Sequence, residues 1–303
     1  MKILMTGASG FIGSAALSLA VSKGHDVTVL ARPGSAAGYR EKLERGGMSC
    51  EVIAAEHTGW AAAVQNRNFD SCLHLAWIAV PGQYLNSPEN EQFAASTLAF
   101  ADSLFKNGLP HFLGAGTCIE YAPGLTAPCR EDITPCAPVS PYAIAKHRTH
   151  QSLAEMADRY SSALGWARVF YPYGAGEHPG RTATTFLKTL AAGQPLVLKT
   201  GASRKDFIEV RDVASALVHL LGCGAGGAFN IGTGTGTGIR ELALITAGLV
   251  GADGSMVQDA DPPAVDPYAF HVADTTRLSA AGWQPAIPLK TGLGHLLQAL
   301  GQS

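Results

Sequence analysis

A tyrosine and a lysine four residues apart, Tyr142 and Lys146, form the most chemically suggestive pair in this sequence. Residues 140–164 around them predict a long helix, so the two side chains share one helix face. A nearby ammonium favours the tyrosinate and lowers the pKa of the phenol towards the range used in acid–base catalysis. Taken alone, such a pair is also common as two surface neighbours, and the spacing leaves both interpretations open.

A hydroxyl side chain, Thr117, lies 25 residues before Tyr142. It follows His111–Ala115, which we predict to be a strand. Ligands of an open parallel sheet bind beyond the carboxyl ends of its strands, so Thr117 can bond a substrate oxygen and the phenol together. As an isolated residue after Gly-Ala-Gly, it is more simply a turn residue.

The beginning of the chain predicts a phosphate site. Lys2–Thr6 is an apolar strand, Gly7, Gly10 and Gly13 follow at a spacing of three, and residues 14–23 predict a helix. A strand that runs through glycines into a helix presents free N–H groups to a pyrophosphate. We expect Gly7 to allow a sharp turn, Gly10 to let the backbone approach the phosphates, and Gly13 to let the helix pack closely. A tight turn that binds nothing is the alternative.

Strand and helix patterns alternate through the first half of the chain. Further predicted strands are His25–Ala31, Cys50–Ala54, Asp70–Ala76 and Trp166–Phe170, and further predicted helices are Tyr39–Arg45 and Pro88–Lys106. This alternation predicts an α/β fold with a doubly wound parallel sheet. We expect residues 1–170 to form a dinucleotide-binding domain, rejoined by residues 206–221, and residues 171–303 to form a smaller substrate lobe.

The composition narrows the class of protein. Of 303 residues, 47% are hydrophobic and 15% are charged, which suits a folded chain with a large core. The net charge of −2 without a basic cluster argues against binding to nucleic acid. We find no membrane span and no export signal, so the six scattered cysteines are expected to be reduced thiols in the cytoplasm. The histidines show no metal-ligand spacing, and we expect no metal.

These motifs occur together and in order, and the combination resembles the extended short-chain dehydrogenase/reductase family, in its nucleotide-sugar epimerase/dehydratase branch. The resemblance covers nearly the whole chain and implies a Rossmann-type sheet with a C-terminal substrate lobe. Further segments that resemble the family are His74-Leu75-Ala76, Arg168–Gly174, His178–Arg181, Lys205–Val213, Phe229–Gly232 and Gly282–Pro285.

The resemblance implies a role for each catalytic candidate. Tyr142 would exchange a proton with a sugar hydroxyl or ketone, Lys146 would hold the nicotinamide ribose, and Thr117 would orient the substrate oxygen. The implied cofactor-binding residues are Gly7, Ser9, Gly10, Phe11, Ile12, Gly13, Arg32, Leu75, Ala76, Tyr142 and Lys146.

Arg32 bears on the choice of cofactor. It follows the second predicted strand, where an NAD enzyme tends to carry an acid for the ribose, and residues 28–40 contain no Asp or Glu. An Arg there can pair with the 2′-phosphate of NADP, although it is also consistent with a solvated loop arginine. The sequence therefore favours NADP, with NAD as the alternative.

The resemblance also implies the substrate contacts and the assembly. Lys205 stands where the family usually has an Arg on the phosphates of a nucleotide sugar, with Arg204 beside it, and either cation could serve; an exposed basic turn is the alternative. Arg181 is the other phosphate candidate. Trp77 and Tyr84 are candidates to line the sugar pocket, or simple packing. The long helices at residues 88–106 and 140–164 resemble those that pair across a two-fold axis in this family, so we expect a homodimer.

Departures from the family pattern narrow the reaction. Cys118 and Ile119 stand where sugar 4,6-dehydratases carry Asp-Glu, which argues against dehydration. We expect NADP-dependent reduction of a nucleotide-activated 4-keto-6-deoxy sugar; the alternative is a nucleotide-sugar 4-epimerase with tightly bound NAD. A second alternative follows from a resemblance to GDP-fucose synthases, in which Cys118 would be a possible catalytic thiol, although it is also consistent with a small buried cysteine.

Overall fold

The computed structural model describes residues 1–301. Its helices are α1 (Phe11–Ser22), α2 (Pro33–Arg45), α3 (Trp60–Ala63), α4 (Glu89–Lys106), α5 (Pro141–Tyr160), α6 (Thr182–Ala191), α7 (Val210–Gly222), α8 (Ile239–Val250), α9 (Thr276–Ala280) and α10 (Leu289–Gly301). Its strands are β1 (Lys2–Thr6), β2 (Asp26–Ala31), β3 (Glu51–Ala54), β4 (Ser71–His74), β5 (His111–Thr117), β6 (Ala163–Val169), β7 (Tyr171–Tyr173), β8 (Leu196–Leu198), β9 (Arg204–Lys205), β10 (Phe207–Glu209), β11 (Gly227–Ile231), β12 (Thr237–Gly238), β13 (Val257–Asp259) and β14 (Phe270–His271). No helix of this part of the chain has the length and apolar character to cross a bilayer.

The main sheet confirms the predicted fold class. Its seven strands run in the order β11-β6-β5-β4-β1-β2-β3. β1 pairs in parallel with β2 on one side and with β4 on the other, so the order of strands reverses at this point. The crevice beyond the carboxyl ends of β1 and β4 is therefore the expected ligand site of such a sheet.

Helix α5 carries the Tyr–Lys pair, and its sequence specifies both of its ends. The Ser140 hydroxyl accepts a hydrogen bond from Ala143 N at 3.3 Å, and Pro141 occupies the first turn, where no N–H is needed. The helix ends at Tyr160 rather than at the predicted residue 164, because Ser161 adopts a left-handed backbone with φ of 54°.

The chain divides into two units whose boundaries differ from the predicted ones. The first contains Met1–Glu120, Pro138–Arg168 and Ala214–Phe229; the second contains Tyr121–Ala137, Val169–Val213 and the chain from Asn230 onward. The segment that returns to the first unit thus lies later than the predicted 206–221.

Residues 121–137, which we expected in the first domain, belong to the second unit for a physical reason. The Tyr121 hydroxyl donates to Asn230 Oδ1 at 2.8 Å, and Asn230 N donates to Glu131 Oε1 at 2.7 Å. Asn230 Nδ2 also donates to Cys129 O at 2.7 Å. These are contacts between residues 99 or more apart in the chain, which sequence patterns do not reveal.

The second unit is built from short strands and helices around its own core. β10 pairs with β7, β13 with β8, and β9 lies between β12 and β14. Leu187, Leu242 and Leu293, from α6, α8 and α10, are fully buried in its apolar core. The predicted smaller C-terminal lobe is therefore present, and it is built on small sheets.

His74 closes the core of the first unit at the end of β4. Its Nδ1 lies 2.8 Å from Thr6 Oγ1 and its Nε2 lies 2.9 Å from Thr97 Oγ1, so the ring joins β1 to α4. Burial, and then the charge of Lys146, lower the pKa of His74 to about 3. This histidine is neutral in the folded protein, because a charged ring would lose its hydration on burial and its neighbours do not compensate for that loss.

We predict that His74 makes the protein less stable in mild acid. Its pKa is lower in the folded chain than in the unfolded chain, so between pH about 6.5 and about 3 the unfolded chain binds a proton that the folded chain does not. The full free energy of unfolding is therefore present above pH about 6.5, and part of it is lost as the pH falls towards about 3. His74→Gln should reduce the slope of unfolding free energy against pH in that window by up to about 1.4 kcal/mol per pH unit. Denaturant unfolding at several pH values measures this.

The exposed His178 provides the control, since His178→Gln removes a histidine without touching the core. A slope for His74→Gln equal to that of wild type would contradict the assignment.

Candidate active site

The loop between β1 and α1 has the geometry of a phosphate cradle. Gly7 has φ of +72°, and a Cβ on it would lie 2.6 Å from Ala76 N. A Cβ on Gly13 would lie 2.0 Å from Gly7 O, so the first turn of α1 is as close to the loop as we expected. Leu75 and Ala76 lie against the same loop, because a Cβ on Gly7 would also come within 2.7 Å of Leu75 C.

The start of α1 leaves donors for an anion. Gly10 is the residue before the helix, and no side chain caps the first turn. Ser9 lies in the loop, and Phe11 and Ile12 begin the helix. A helix N-terminus without a side-chain cap, beside Gly7 and Gly13 at which a Cβ would overlap backbone atoms, fits the pyrophosphate of a dinucleotide. The predicted cofactor residues of this segment are thus together.

Thr117, Tyr142 and Lys146 belong to the same unit and meet at the end of β5. Thr117 is the last residue of that strand rather than the residue after it. The Thr117 side chain lies close enough to the phenol of Tyr142 to lower its pKa. Lys146 Nζ donates to Ala115 O at 2.7 Å, two residues before Thr117. The three predicted catalytic side chains are therefore gathered at one strand end.

The phenol of Tyr142 is held in its protonated form. Burial raises its pKa well above the ordinary value, and Tyr84, Glu120 and Cys118 act in the same direction. The Thr117 side chain lowers this pKa, but its effect is smaller than those that raise it. At neutral pH this group is a proton donor.

The expectation that Lys146 lowers the pKa of Tyr142 is wrong for this structure. Burial lowers the pKa of Lys146 itself to about 7, although the charge of Glu120 opposes the shift. The Lys146 side chain is 3% exposed, and its Nζ lies 3.9 Å from the centre of the Trp77 ring. The ammonium thus contacts Ala115 O and the face of the Trp77 ring. Burial is the main cause of the pKa shifts of both Tyr142 and Lys146.

Glu120 is a buried carboxylate that the sequence patterns did not reveal. It follows Thr117 within a short 3-10 turn and has no exposed surface. Its Oε1 accepts from Thr117 N at 2.8 Å and from Trp166 Nε1 at 3.0 Å, and its Oε2 accepts from Arg168 Nε at 3.1 Å. This one side chain therefore fixes the backbone of Thr117 to β6.

Glu120 remains ionised despite its burial. Burial alone would raise its pKa, but the neighbouring His147 ring and the Arg168 charge outweigh that effect, and the pKa lies below its usual range. His147 Nδ1 lies 3.8 Å from Glu120 Oε2, which is too far for a hydrogen bond. No local sequence feature marks this residue, because its partners lie 46 and 48 positions later.

Glu120, His147 and His150 bring one possible metal-ligand atom each within 4.8 Å of one another. Both carboxylate oxygens already accept hydrogen bonds, and the guanidinium of Arg168 supplies the positive charge. The His150 ring stacks on Trp166, with centres 5.0 Å apart. We assign this cluster to a buried ion pair, and the absence of a metal stays a prediction.

Arg32 lies at the start of α2, directly after β2. The helix begins at Pro33, earlier than the predicted residue 39, because the fixed φ of proline suits a first turn. Arg32 is exposed, and within residues 1–301 its guanidinium has no hydrogen-bond or ion-pair partner. It is thus free to bind an anion at a helix N-terminus.

The three predicted phosphate-binding cations belong to the second unit. Lys205 Nζ lies 2.7 Å from Asp266 Oδ2 and is largely buried. Arg181 Nη2 donates to Pro172 O at 3.1 Å. Arg204 is more than half exposed and lies 3.9 Å from Glu241. Arg204, the more exposed of the two, is therefore a stronger candidate than Lys205.

Comparison with known proteins assigns the family. The profile described as "NAD dependent epimerase/dehydratase family" matches residues 3–232. The chain belongs to this family. It is an enzyme of that family, and the resemblance stated from the motifs is confirmed.

Individual relatives cover nearly the whole chain. The UDP-glucose 4-epimerase of Mycolicibacterium smegmatis is 28% identical and matches over 98% of both chains. A dTDP-6-deoxy-L-talose 4-dehydrogenase (NAD(+)) of Aggregatibacter actinomycetemcomitans is 27% identical over 79% of this chain and 87% of its own. The UDP-glucose 4-epimerase of Thermus thermophilus, solved as a complex with NAD, superposes with a TM-score of 0.82 at 23% identity, over 100% of both chains, and so shares the fold.

We predict that Gly13→Ala destabilises the protein and abolishes binding of dinucleotides. The new methyl group would overlap Gly7 O, and relief of such overpacking typically costs about 1–3 kcal/mol. Denaturant unfolding and titration with NADH and NADPH, followed by fluorescence, measure both effects.

Gly38→Ala is the matched control. Gly38 lies within α2 with open space around its Cβ position, so this change should stabilise the chain by about 0.5–1 kcal/mol. A Gly13→Ala protein with wild-type stability and binding would show that the close approach is not required.

Proposed function

We propose that the protein is a nucleotide-sugar 4-epimerase. The observation that carries the proposal is the grouping of Thr117, Tyr142 and Lys146 at the end of β5, in a chain that aligns from end to end with a UDP-glucose 4-epimerase. This is the alternative given in the sequence analysis, and the comparisons favour it over the reductase. A UDP-hexose is accordingly the first substrate to test.

Each catalytic side chain has a defined task in this proposal. As a tyrosinate, Tyr142 would take the proton of the sugar 4-hydroxyl while a hydride passes from the same carbon to the dinucleotide; as a phenol, it would give a proton to the 4-keto oxygen when the hydride returns. Its protonated form at neutral pH suits the second of these two steps. Thr117 hydrogen-bonds the same oxygen and keeps it at the phenol. A nicotinamide dinucleotide held by Gly7, Gly10 and Gly13 would supply hydride exchange at the sugar carbon.

Lys146 carries a positive charge one helical turn along α5 from Tyr142. Its pKa of about 7 means that both its charged and its neutral forms are populated near neutral pH. When charged, it would hold the ribose of the nicotinamide dinucleotide, the role that the resemblance implies.

A second candidate is the NADP-dependent reductase of a 4-keto sugar. The observation that favours it is Arg32, exposed and unpartnered within the described chain, at the N-terminus of α2. The 2′-phosphate of NADP would bind there to the Arg32 guanidinium and to the N-terminus of α2. Cys118, which is buried beside the phenol, stays a possible catalytic thiol of the epimerase-reductase alternative.

The homodimer is also part of this proposal. α4 and α5 pack against each other within the first unit, and Arg148 Nη1 lies 3.4 Å from Glu91 Oε1 on their exposed side. A second copy could add its own pair of helices to this face, and light scattering on the purified protein would measure the mass. The cytoplasmic location stays a prediction.

We predict that the purified protein interconverts UDP-glucose and its 4-epimer without net change in absorbance at 340 nm, and that Tyr142→Phe lowers the turnover at least roughly a hundredfold. Chromatography of the sugar nucleotides measures the reaction. Tyr160→Phe is the control, because this hydroxyl lies at the other end of α5 and donates to Asp102. Net consumption of NADPH with a 4-keto sugar, and no epimerisation, would favour the reductase instead.

We predict that Arg32→Ala lowers the affinity for NADP relative to NAD by roughly tenfold or more, the scale of one lost charge-assisted contact. Competition titrations with the two dinucleotides measure the ratio. Arg45→Ala, at the far end of α2, should leave it unchanged. Equal affinities for both dinucleotides in wild type and in Arg32→Ala would remove Arg32 from cofactor selection.

A further inference from the structure

One buried amide, that of Asn90, is hydrogen-bonded on both its oxygen and its nitrogen. Its Oδ1 accepts from Trp77 Nε1 at 2.8 Å. Its Nδ2 donates to Tyr84 O at 2.7 Å and to Ser87 O at 2.8 Å. Asn90 lies in the first turn of α4 and is 1% exposed. It therefore ties the segment from residue 77 to residue 87 to a rigid helix.

The two aromatic side chains of that segment contact the catalytic pair. The Trp77 ring faces Lys146 Nζ at 3.9 Å. The Tyr84 ring meets the Tyr142 ring edge-on, with centres 4.8 Å apart and an angle of 89° between the planes. Both geometries are attractive, the first by a cation–π interaction and the second by complementary ring edges and faces.

Resting on the proposed function, we propose that Asn90 is a positioning residue for catalysis, which sets Lys146 through Trp77 and Tyr142 through Tyr84. The aromatic pair thus does more than line a sugar pocket. The indole face replaces part of the hydration that the Lys146 ammonium loses on burial, and the Tyr84 ring restricts the orientation of the phenol.

The charged groups around Lys146 determine the sign of the effect. Glu120, in the turn after β5, favours the ammonium, whereas His74, on β4, is neutral above pH about 3. Tyr142, one helical turn away, is protonated. With these groups unchanged, loss of the indole face removes a stabilising contact from the ammonium, so the pKa of Lys146 must fall.

The experiment measures the titration of Lys146 in the full-length protein. In Trp77→Leu and in Asn90→Ala, the pKa of Lys146 should fall by about one unit, the scale of a desolvated cation–π contact. The 13Cε chemical shift of labelled Lys146, assigned with Lys146→Arg, reports it directly. The alkaline limb of kcat/KM should move to lower pH by the same amount.

The variants also test the route through Trp77. The shift in the double variant Asn90→Ala/Trp77→Leu should not exceed that in Trp77→Leu alone, because both changes remove the same contact. Trp77→Phe, which keeps an aromatic face, should give a smaller shift and serves if the other variants do not fold. Asn107→Ala, at the other end of α4, is the amide control and should leave the titration unchanged.

Two results would overturn the proposal. One is a folded Trp77→Leu or Trp77→Phe protein in which Lys146 titrates as in wild type. The other is a double variant whose shift is the sum of the single ones. Failure of the proposed function gives a different outcome: the wild-type protein would epimerise no sugar nucleotide, while the NMR titration of Lys146 would still respond to Trp77 and Asn90.

Discussion

The ion pair between Glu120 and Arg168 is the constraint on which the geometry of the site depends. A carboxylate without exposed surface is tolerable only because Arg168, Trp166 and Thr117 N together satisfy it. Removal of one partner from such a pair typically costs about 3–5 kcal/mol. The same contacts hold the end of β5 against β6, so the energy that stabilises this part of the sheet also fixes where the Thr117 hydroxyl stands.

The negative charge of Glu120 has opposite effects on the two titrating catalytic groups. It keeps Lys146 more basic than burial alone would, and it makes Tyr142 harder to ionise. The site is therefore set to donate a proton from the phenol rather than to store a tyrosinate. A phenol that donates to a carbonyl oxygen serves the reduction step of an epimerase and the single step of a reductase equally well.

Residues that are close in sequence allowed much of the fold and part of the site to be predicted. The spacing of Tyr142 and Lys146 and the glycines before α1 are local patterns, and each marks the element that carries it. The burial of Glu120 could not be predicted, because an isolated Glu is expected to be exposed and its partners, residues 166 and 168, are distant in the sequence. The pKa of Tyr142 was misjudged for the same reason, since desolvation depends on neighbours from several elements.

The two candidate reactions share the step that reduces a 4-keto sugar, in which Tyr142 would give the proton. The epimerase must first take a proton and a hydride from the same carbon and would keep its dinucleotide for the return step, whereas a reductase would release the oxidised dinucleotide after each turnover. The glycine loop would contact the pyrophosphate, which NAD and NADP share. The end of β2 would contact the adenosine ribose, whose 2′-position carries a hydroxyl in NAD and a phosphate in NADP. Arg32 lies directly after β2, and residues 28–40 contain no Asp or Glu, so a preference for NADP stays a prediction that bears on the cofactor and not on the reaction.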